Sequence, residues 1–368
     1  MNLKTLLLSS DEKTVRILRR VLGDLEIDVE HCATVDDAIR RITRQRFEGI
    51  IVDVTNLEEA GTVMRGAKAA PVNKRALAIL LVDSSVGMKG GFEMGAHFVL
   101  HKPFAVERAK ASFRAVRALM KRERRLQMRV AVQVPVECFG DSRYKATTLD
   151  VCEGGMAIQF SGRVPKENPL RFSLELPGTG QGLEIDGELA WESNDKHAGV
   201  RFKDATDQQR RILSQWLSSQ LSESEPDDPP VICKVTDHSP AGCYLTTNSP
   251  FPRGTRVALS MNATDGVRAK AFVLVAHPEF GMGVEFLQKT AEQRDHAKHL
   301  ITALLAKGNN PEIQVEPEGL ERSADDSIRA EASENKDPLV GLFRHNFQVP
   351  VETFLQQMRE QRQSIGSR

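Results

Sequence analysis

The first 118 residues alternate short, unbroken apolar runs with stretches whose apolar positions recur every three or four residues. The runs at Thr5–Ser9, Gly49–Val54, Ala78–Asp83 and Phe98–Lys102 have the pattern of parallel strands covered on both faces. Between them, Glu12–Leu25 and Val35–Arg46 have helical spacing. The alternation predicts a doubly wound α/β domain over residues 1–118. A further helix carries Val106, Ala109, Phe113, Val116 and Met120 on one face. It runs into the basic stretch Lys121–Arg129, KRERRLQMR.

Beyond this stretch the period falls from 3.6 to 2. Val130, Val132, Val134 and Val136 alternate with other residues, as do Leu183, Ile185, Gly187, Leu189 and Trp191. Short strands with Gly and Pro turns predict a small antiparallel barrel or sandwich over 122–222. It ends in a helix over Asp207–Leu221 with Leu213, Leu217 and Leu221 on one face. Ser222–Pro230, SESEPDDPP, reads as an acidic linker.

A second β-rich segment, 229–307, repeats the first. TLDVCEGGMAIQF from Thr148 has a counterpart in KVTDHSPAGCYLTT from Lys234, and HAGVRF ending at Phe202 has one in GMGVEF ending at Phe286. Two anchors at nearly one offset predict an internal duplication. This copy also closes on a helix, with Ala297, Leu300, Ile301 and Leu304 on one face. Residues 308–337 hold nine acids and three bases with few apolar residues. That composition predicts a disordered tail over 308–368, with a short amphipathic helix near Val351–Gln361.

Fifty Lys and Arg balance fifty Asp and Glu, which argues against a global affinity for nucleic acid or anionic membrane. Aromatics are only 5%, too few for a single-strand stacking platform. No apolar run reaches the length of a bilayer span and no signal-peptide pattern is present, so no membrane insertion and a cytoplasmic location are expected. The five scattered cysteines suit reduced thiols, and the spacing of Cys233, His238 and Cys243 fits no usual zinc pattern. There is no Walker-type loop, HExxH or GxSxG with partners, so an enzyme is not expected.

Asp53 at the end of a buried strand, an acidic position after the first strand and the HKPF run His101–Phe104 resemble the receiver domain of bacterial response regulators. The resemblance implies a phosphoryl-accepting Asp53, a phosphate-pairing Lys102 and Mg²⁺ held by Asp11 and Asp53. The set is incomplete. The acidic pair aligns with Ser10 and Asp11, so one carboxylate is missing unless Glu12 supplies it. The hydroxyl position falls at Asp83 or Ser84. The expectation is a pseudo-receiver, an interaction platform that is not phosphorylated, with Asp53 and Lys102 as a structural ion pair.

Arg125 and Arg129, four residues apart, lead into a strand, and DVCEGG, Asp150–Gly155, follows another. Together with Trp191–Phe202 they resemble the RxxxR, (D/N)xSxxG and closing-strand signatures of PilZ domains, small barrels that bind cyclic di-GMP. The chemistry is consistent with that ligand. Arginine presents a planar fork to a guanine edge or a phosphate, and aspartate accepts from the guanine N1 and N2 hydrogens. The resemblance implies Arg125 and Arg129 as a clamp on an extended-to-turn linker, Asp150 as base reader, Cys152 in the serine position and Gly155 as the glycine that admits the ligand. The second copy has the full Asp237, Ser239, Gly242 set but no clamp, and Asp227 and Asp228 precede it. It is expected to be structural, or to complete a composite site with the first copy's arginines.

The sequence therefore predicts a multidomain signalling protein: a receiver-like α/β domain, two PilZ-like antiparallel β-barrels, each with a C-terminal helix, and a flexible tail. It would bind cyclic di-GMP through the first barrel and signal by domain rearrangement to an unidentified protein partner. The rival readings are a ligand-independent scaffold and a response regulator driven by phosphorylation of Asp53.

Overall fold

The computed structural model describes residues 2–54, 56–83, 90–92, 94–180, 182–203, 205–220, 228–261, 268–308, 310–320, 337–346, 349 and 351–366. The chain divides into two compact units, Arg124–Pro226 and Met1–Glu123 together with Asp227–Arg368. No described helix is long and apolar enough to cross a membrane. All five cysteines are buried and free.

The α/β domain has a parallel sheet in the order β2-β1-β3-β4-β5, from β1 (Leu3–Leu8), β2 (Ile27–Cys32), β3 (Gly49–Asp53), β4 (Leu77–Val82) and β5 (Phe98–His101). Alternate residues serve opposite faces. Leu6, Ile50, Val52, Leu80 and Val82 enter one core layer, and Leu7, Ile51, Ile79 and Leu81 the other. Each of the first three helices is started by a polar cap. Asp11 caps α1 (Glu12–Gly23), Thr34 caps α2 (Val35–Arg44) and Asn56 caps α3 (Leu57–Ala69). Strand β2 is absent from the predicted set. As an edge strand, IDVEHC is buried only at its two ends and so carries no apolar run.

The last helix of this domain, α4, spans Val106–Gln127. Phe113, Val116, Leu119 and Met120 pack on the α/β core. Ala115 and Ala118, on another face, belong to the core of the second barrel. Asp228 lies 2.5 Å from Arg117 and 3.0 Å from Lys121. The Glu123 carboxylate accepts from the Leu320 amide at 2.6 Å.

The first barrel is a closed antiparallel ring in the order β8-β7-β10-β11-β12-β9, with the short β6 (Val130–Ala131) added on β8. Its strands are β7 (Pro135–Phe139), β8 (Arg143–Cys152), β9 (Gly155–Phe160), β10 (Leu170–Glu175), β11 (Gly182–Glu192) and β12 (His197–Phe202). Helix α5 (Asp207–Gln220) packs Leu213, Trp216 and Leu217 on its core. Leu221 lies outside the described residues, as do residues 222–227 of the linker.

The second barrel closes in the order β13-β14-β17-β16-β15-β18. The strands are β13 (Val231–His238), β14 (Gly242–Thr246), β15 (Thr255–Ser260), β16 (Arg268–His277), β17 (Gly281–Phe286) and β18 (Glu312–Leu320), and α6 (Ala291–Ala306) packs Ala297, Leu300 and Leu304 on it. The two barrels share two bulges. A bulge lies between Thr148 and Asp150 in one and between Val235 and Asp237 in the other; a second lies between Leu189 and Trp191, and between Val273 and Val275. Bulges are specific features of a fold rather than defects, so these matches support the duplication.

One strand is permuted. In the first barrel β7, which precedes β8, bridges β8 and β10. In the second that place, between β13 and β15, is taken by β18, which follows the helix. The disordered tail expected from residue 308 is therefore corrected over Glu312–Leu320. The second copy has five strands before α6, and an open edge would leave a row of unpaired backbone groups. Ile313 and Val315 fill the core while Glu312 stays exposed, so the acidic composition masks a period-2 pattern. Residues 321–336 lie outside the described set. Helices α7 (Pro338–His345) and α8 (Val351–Gly366) follow.

Candidate functional site

The RxxxR residues do not lie on an extended linker. KRERRLQ is made of good helix formers, and α4 continues through Gln127. Arg125 therefore occupies the last turn of the helix, half-buried, and Arg129 lies beyond it, exposed, one residue before β6. The Met128 amide still bonds the Arg125 carbonyl at 3.0 Å.

Strand β6 pairs Ala131 with Asp150 and Val130 with Val151, which brings Arg129 over the end of β8. The Arg129 guanidinium donates to Asp150 Oδ1 at 2.5 Å, and the Ala157 amide donates to the same oxygen at 3.2 Å. The Arg129 and Asp150 side chains are 46% and 28% exposed, so the pair faces solvent. A Cβ on Gly154 would stand 3.5 Å from the Leu126 carbonyl oxygen, placing the 152–155 turn against the end of α4. Arg125, Arg129, Asp150 and this turn thus gather at one end of the barrel.

Two motif positions serve the turn itself. Cys152 is 3% exposed, its thiol buried at the start of the 152–155 turn. Burial raises its pKa, against the opposing pull of Arg129. In the second barrel the Ser239 hydroxyl accepts from the Ala241 and Gly242 amides at 3.3 and 3.1 Å. The third motif position is a buried thiol in one copy and an amide-accepting hydroxyl in the other. The glycine is required by the neighbouring strand: a Cβ on Gly155 would collide with the Val200 carbonyl, and one on Gly242 with the Val284 carbonyl. Both have the close backbone approach that only glycine permits.

The corresponding outer face of the second barrel is filled. Val340 of α7 lies against Gly242, Phe343 against Gly283, and Arg344 donates to both oxygens of Glu285 at 2.7 and 2.6 Å. No arginine pair precedes this barrel, and Asp228 is held by Arg117 and Lys121.

In the α/β domain Asp53 ends β3 with its side chain fully buried. Lys102 donates to Asp53 Oδ1 at 2.5 Å and the Ser9 hydroxyl donates to Oδ2 at 2.8 Å. Ser9, the last residue of the first apolar run, is not among the sequence-predicted site residues. Asp11 turns away to cap α1, accepting from the Thr14 hydroxyl at 2.6 Å and from the Lys13 amide at 3.0 Å. Those bonds hold its carboxyl below the usual range, the Thr14 hydroxyl first. Beside Asp53 lies a cleft of about 410 Å³ lined by Ser9, Ser10, Asp36, Asn56 and Glu59. Among the described residues no three His, Cys, Asp or Glu side chains are grouped to hold a metal. Both Asp53 oxygens are engaged, one by a cation, and Asp11 is committed to a helix cap, so this donor set does not fit Mg²⁺. Ser84 lies outside the described residues.

Residues 123–219 match the family model described as the PilZ domain. No curated protein matches the chain. Among solved structures, the chain is similar to the receiver domain of sensor histidine kinase PA1611 from Pseudomonas aeruginosa PAO1 (22% identity, 30% of this chain and 93% of that one, TM-score 0.27). It is similar to a response regulator from Thermotoga maritima (16%, 32% and 99%, 0.29). It is also similar to the PilZ domain of CeSA from a cellulose-synthesizing bacterium (17%, 25% and 97%, 0.22). The matched residues coincide with the barrel that carries the Arg129–Asp150 pair: the chain holds a PilZ domain at 123–219, behind the α/β domain.

Proposed function

We propose that this protein is a cyclic di-GMP receptor whose ligand binds the first barrel through Arg125, Arg129 and Asp150. The observation that carries the reading is the solvent-facing Arg129–Asp150 pair within the PilZ-matched barrel. An exposed ion pair is worth little to stability, so a ligand that offers phosphate and guanine edges can take both partners at small cost. Arg129 would then meet a phosphate or the O6/N7 edge, and Asp150 the N1 and N2 hydrogens. Cys152 and Gly155 shape the turn rather than touch the ligand. The segment from Arg125 to Arg129, where helix gives way to strand, is the element that binding would reorder.

In this reading the second barrel does not take the nucleotide, because it has no arginine clamp and α7 covers its motif glycine. The α/β domain is a pseudo-receiver: Ser9 and Lys102 occupy the Asp53 oxygens. Calorimetric titration of the full chain with cyclic di-GMP tests the proposal. Saturable binding at one site per chain is expected. No heat at high micromolar ligand would favour the scaffold reading.

A further inference from the structure

The core of the second barrel is complete without the last two helices. Val235, Leu245, Val257, Val273, Val284 and Val315 meet inside the ring, closed over by α6. A second apolar cluster lies outside it, where Tyr244, Phe272, Leu274 and Val275 of the barrel meet Leu339, Val340, Phe343, Phe354 and Met358 of α7 and α8. Val340, Phe343 and Phe354 are fully buried there. At the edge of this cluster the Arg344 and Glu285 side chains, 8% and 9% exposed, form an ion pair in which one guanidinium nitrogen meets both carboxylate oxygens.

The first barrel shows what this face is like without helices. By the register of the two copies, Tyr244 corresponds to Ala157, Phe272 to Glu188, Val275 to Trp191 and Glu285 to Arg201. The duplication has thus exchanged a mixed polar surface for an apolar one, with the charge at position 285 reversed. An apolar outer face with one buried anion suits an amphipathic helix bearing two apolar residues three apart and then a base. Val340, Phe343 and Arg344 have that pattern. The sequence between β18 and α7, residues 321–336, holds five acids, three bases and one large aliphatic residue, Ile328.

We propose that the second barrel is a helix-binding module, and that its ligand is the chain's own C-terminal segment 337–366, held reversibly rather than as part of the barrel's fold. The specificity is electrostatic as well as apolar. Glu285 accepts Arg344, whereas Arg201 at the same place on the first barrel would repel it.

The test uses the full chain with a specific protease site placed within residues 321–336. After cleavage, the fragment should leave on dilution while the second barrel keeps its melting transition. A fluorescent peptide spanning 337–366 should rebind saturably by anisotropy. In the peptide, Arg344→Glu should weaken binding about 30-fold or more, because it leaves Glu285 buried against a like charge. A chain carrying Glu285→Arg should prefer the Arg344→Glu peptide to the unaltered one. A fragment that leaves only as the barrel melts would overturn the proposal, as would an Arg344→Glu peptide that binds like the original. The peptide variant leaves the barrel unaltered, so the second result cannot come from misfolding.

Discussion

Arg129 and Asp150, at opposite ends of the two PilZ motifs, form a 2.5 Å ion pair on the rim of the first barrel. Each restrains the other, and the proposed ligand would have to replace both bonds. Arg129→Ala and Asp150→Ala are therefore expected to weaken cyclic di-GMP binding by about 1–3 kcal/mol each, roughly 5- to 150-fold. Arg125→Ala should fall in the same range. Arg129→Lys should not restore affinity, because an ammonium lacks the planar fork. Asp237→Ala should change it less than about twofold. Titration calorimetry of the five variants checks the pattern; equal affinity in all of them would place the ligand elsewhere.

The turn residues predict a different response. Ser239→Ala should cost about 0.5–1.5 kcal/mol of stability by removing the acceptor for two amides, read by urea denaturation of the full chain. Cys152→Ser places at this turn the hydroxyl that Ser239 supplies in the second barrel. Affinity for the nucleotide should then stay within about twofold and stability should not fall. A large loss of affinity with stability unchanged would mean that position 152 touches the ligand.

At Asp53, small phosphodonors with Mg²⁺ are expected to give no stoichiometric acyl phosphate, measured by intact mass. A hydrolysable adduct lost in Asp53→Ala would show that the Ser9 and Lys102 contacts open. Lys102→Ala should destabilise the α/β domain by roughly 3 kcal/mol, since it leaves a buried carboxylate without its cation. The double change Asp53→Ala with Lys102→Ala should cost less than Lys102→Ala alone.

Truncation separates the role of β18 from that of α7 and α8. A chain ending at Lys307 should lose the second barrel's melting transition, because β13 and β15 then have open edges. A chain ending at Leu320 should keep it. Scanning calorimetry distinguishes the two; an intact transition in the shorter chain would mean that five strands suffice.

His277 is 4% exposed, bonded to the Tyr244 hydroxyl at 3.2 Å, and burial lowers its pKa from 6.5 to about 4. Between those values the unfolded chain binds the proton and the folded chain does not. Stability is therefore expected to fall as pH drops from about 6.5 toward 4. His277→Gln should flatten that part of the profile relative to the parent, measured by urea denaturation at several pH values.

Much of this architecture is legible in the sequence because burial leaves a period. Unbroken runs such as LAILLV mark strands covered on both faces, and the alternation around Ile185 marks a barrel wall. Strand β2 escapes because an edge strand has little to bury, and β18 because its outward residues are acidic. The clamp's local structure escapes for another reason: KRERRLQ has no apolar face, so only its helix propensity shows that α4 continues. The covered face of the second barrel does leave a trace, in the unbroken AFVLVA of β16 where the first barrel's β11 alternates. Ser9 cannot be assigned from spacing, since its bond to Asp53 depends on the register between β1 and β3.

The permuted strand also bears on synthesis. Chains emerge N-terminus first, and domains generally fold as units in that order. The first barrel has all its strands once Phe202 is made. The second cannot close until Leu320 has left the ribosome, by which time its other five strands and α6 have already emerged. Throughout that interval β13 and β15 carry open edges, and the window is set by translation speed rather than by any property of the finished protein.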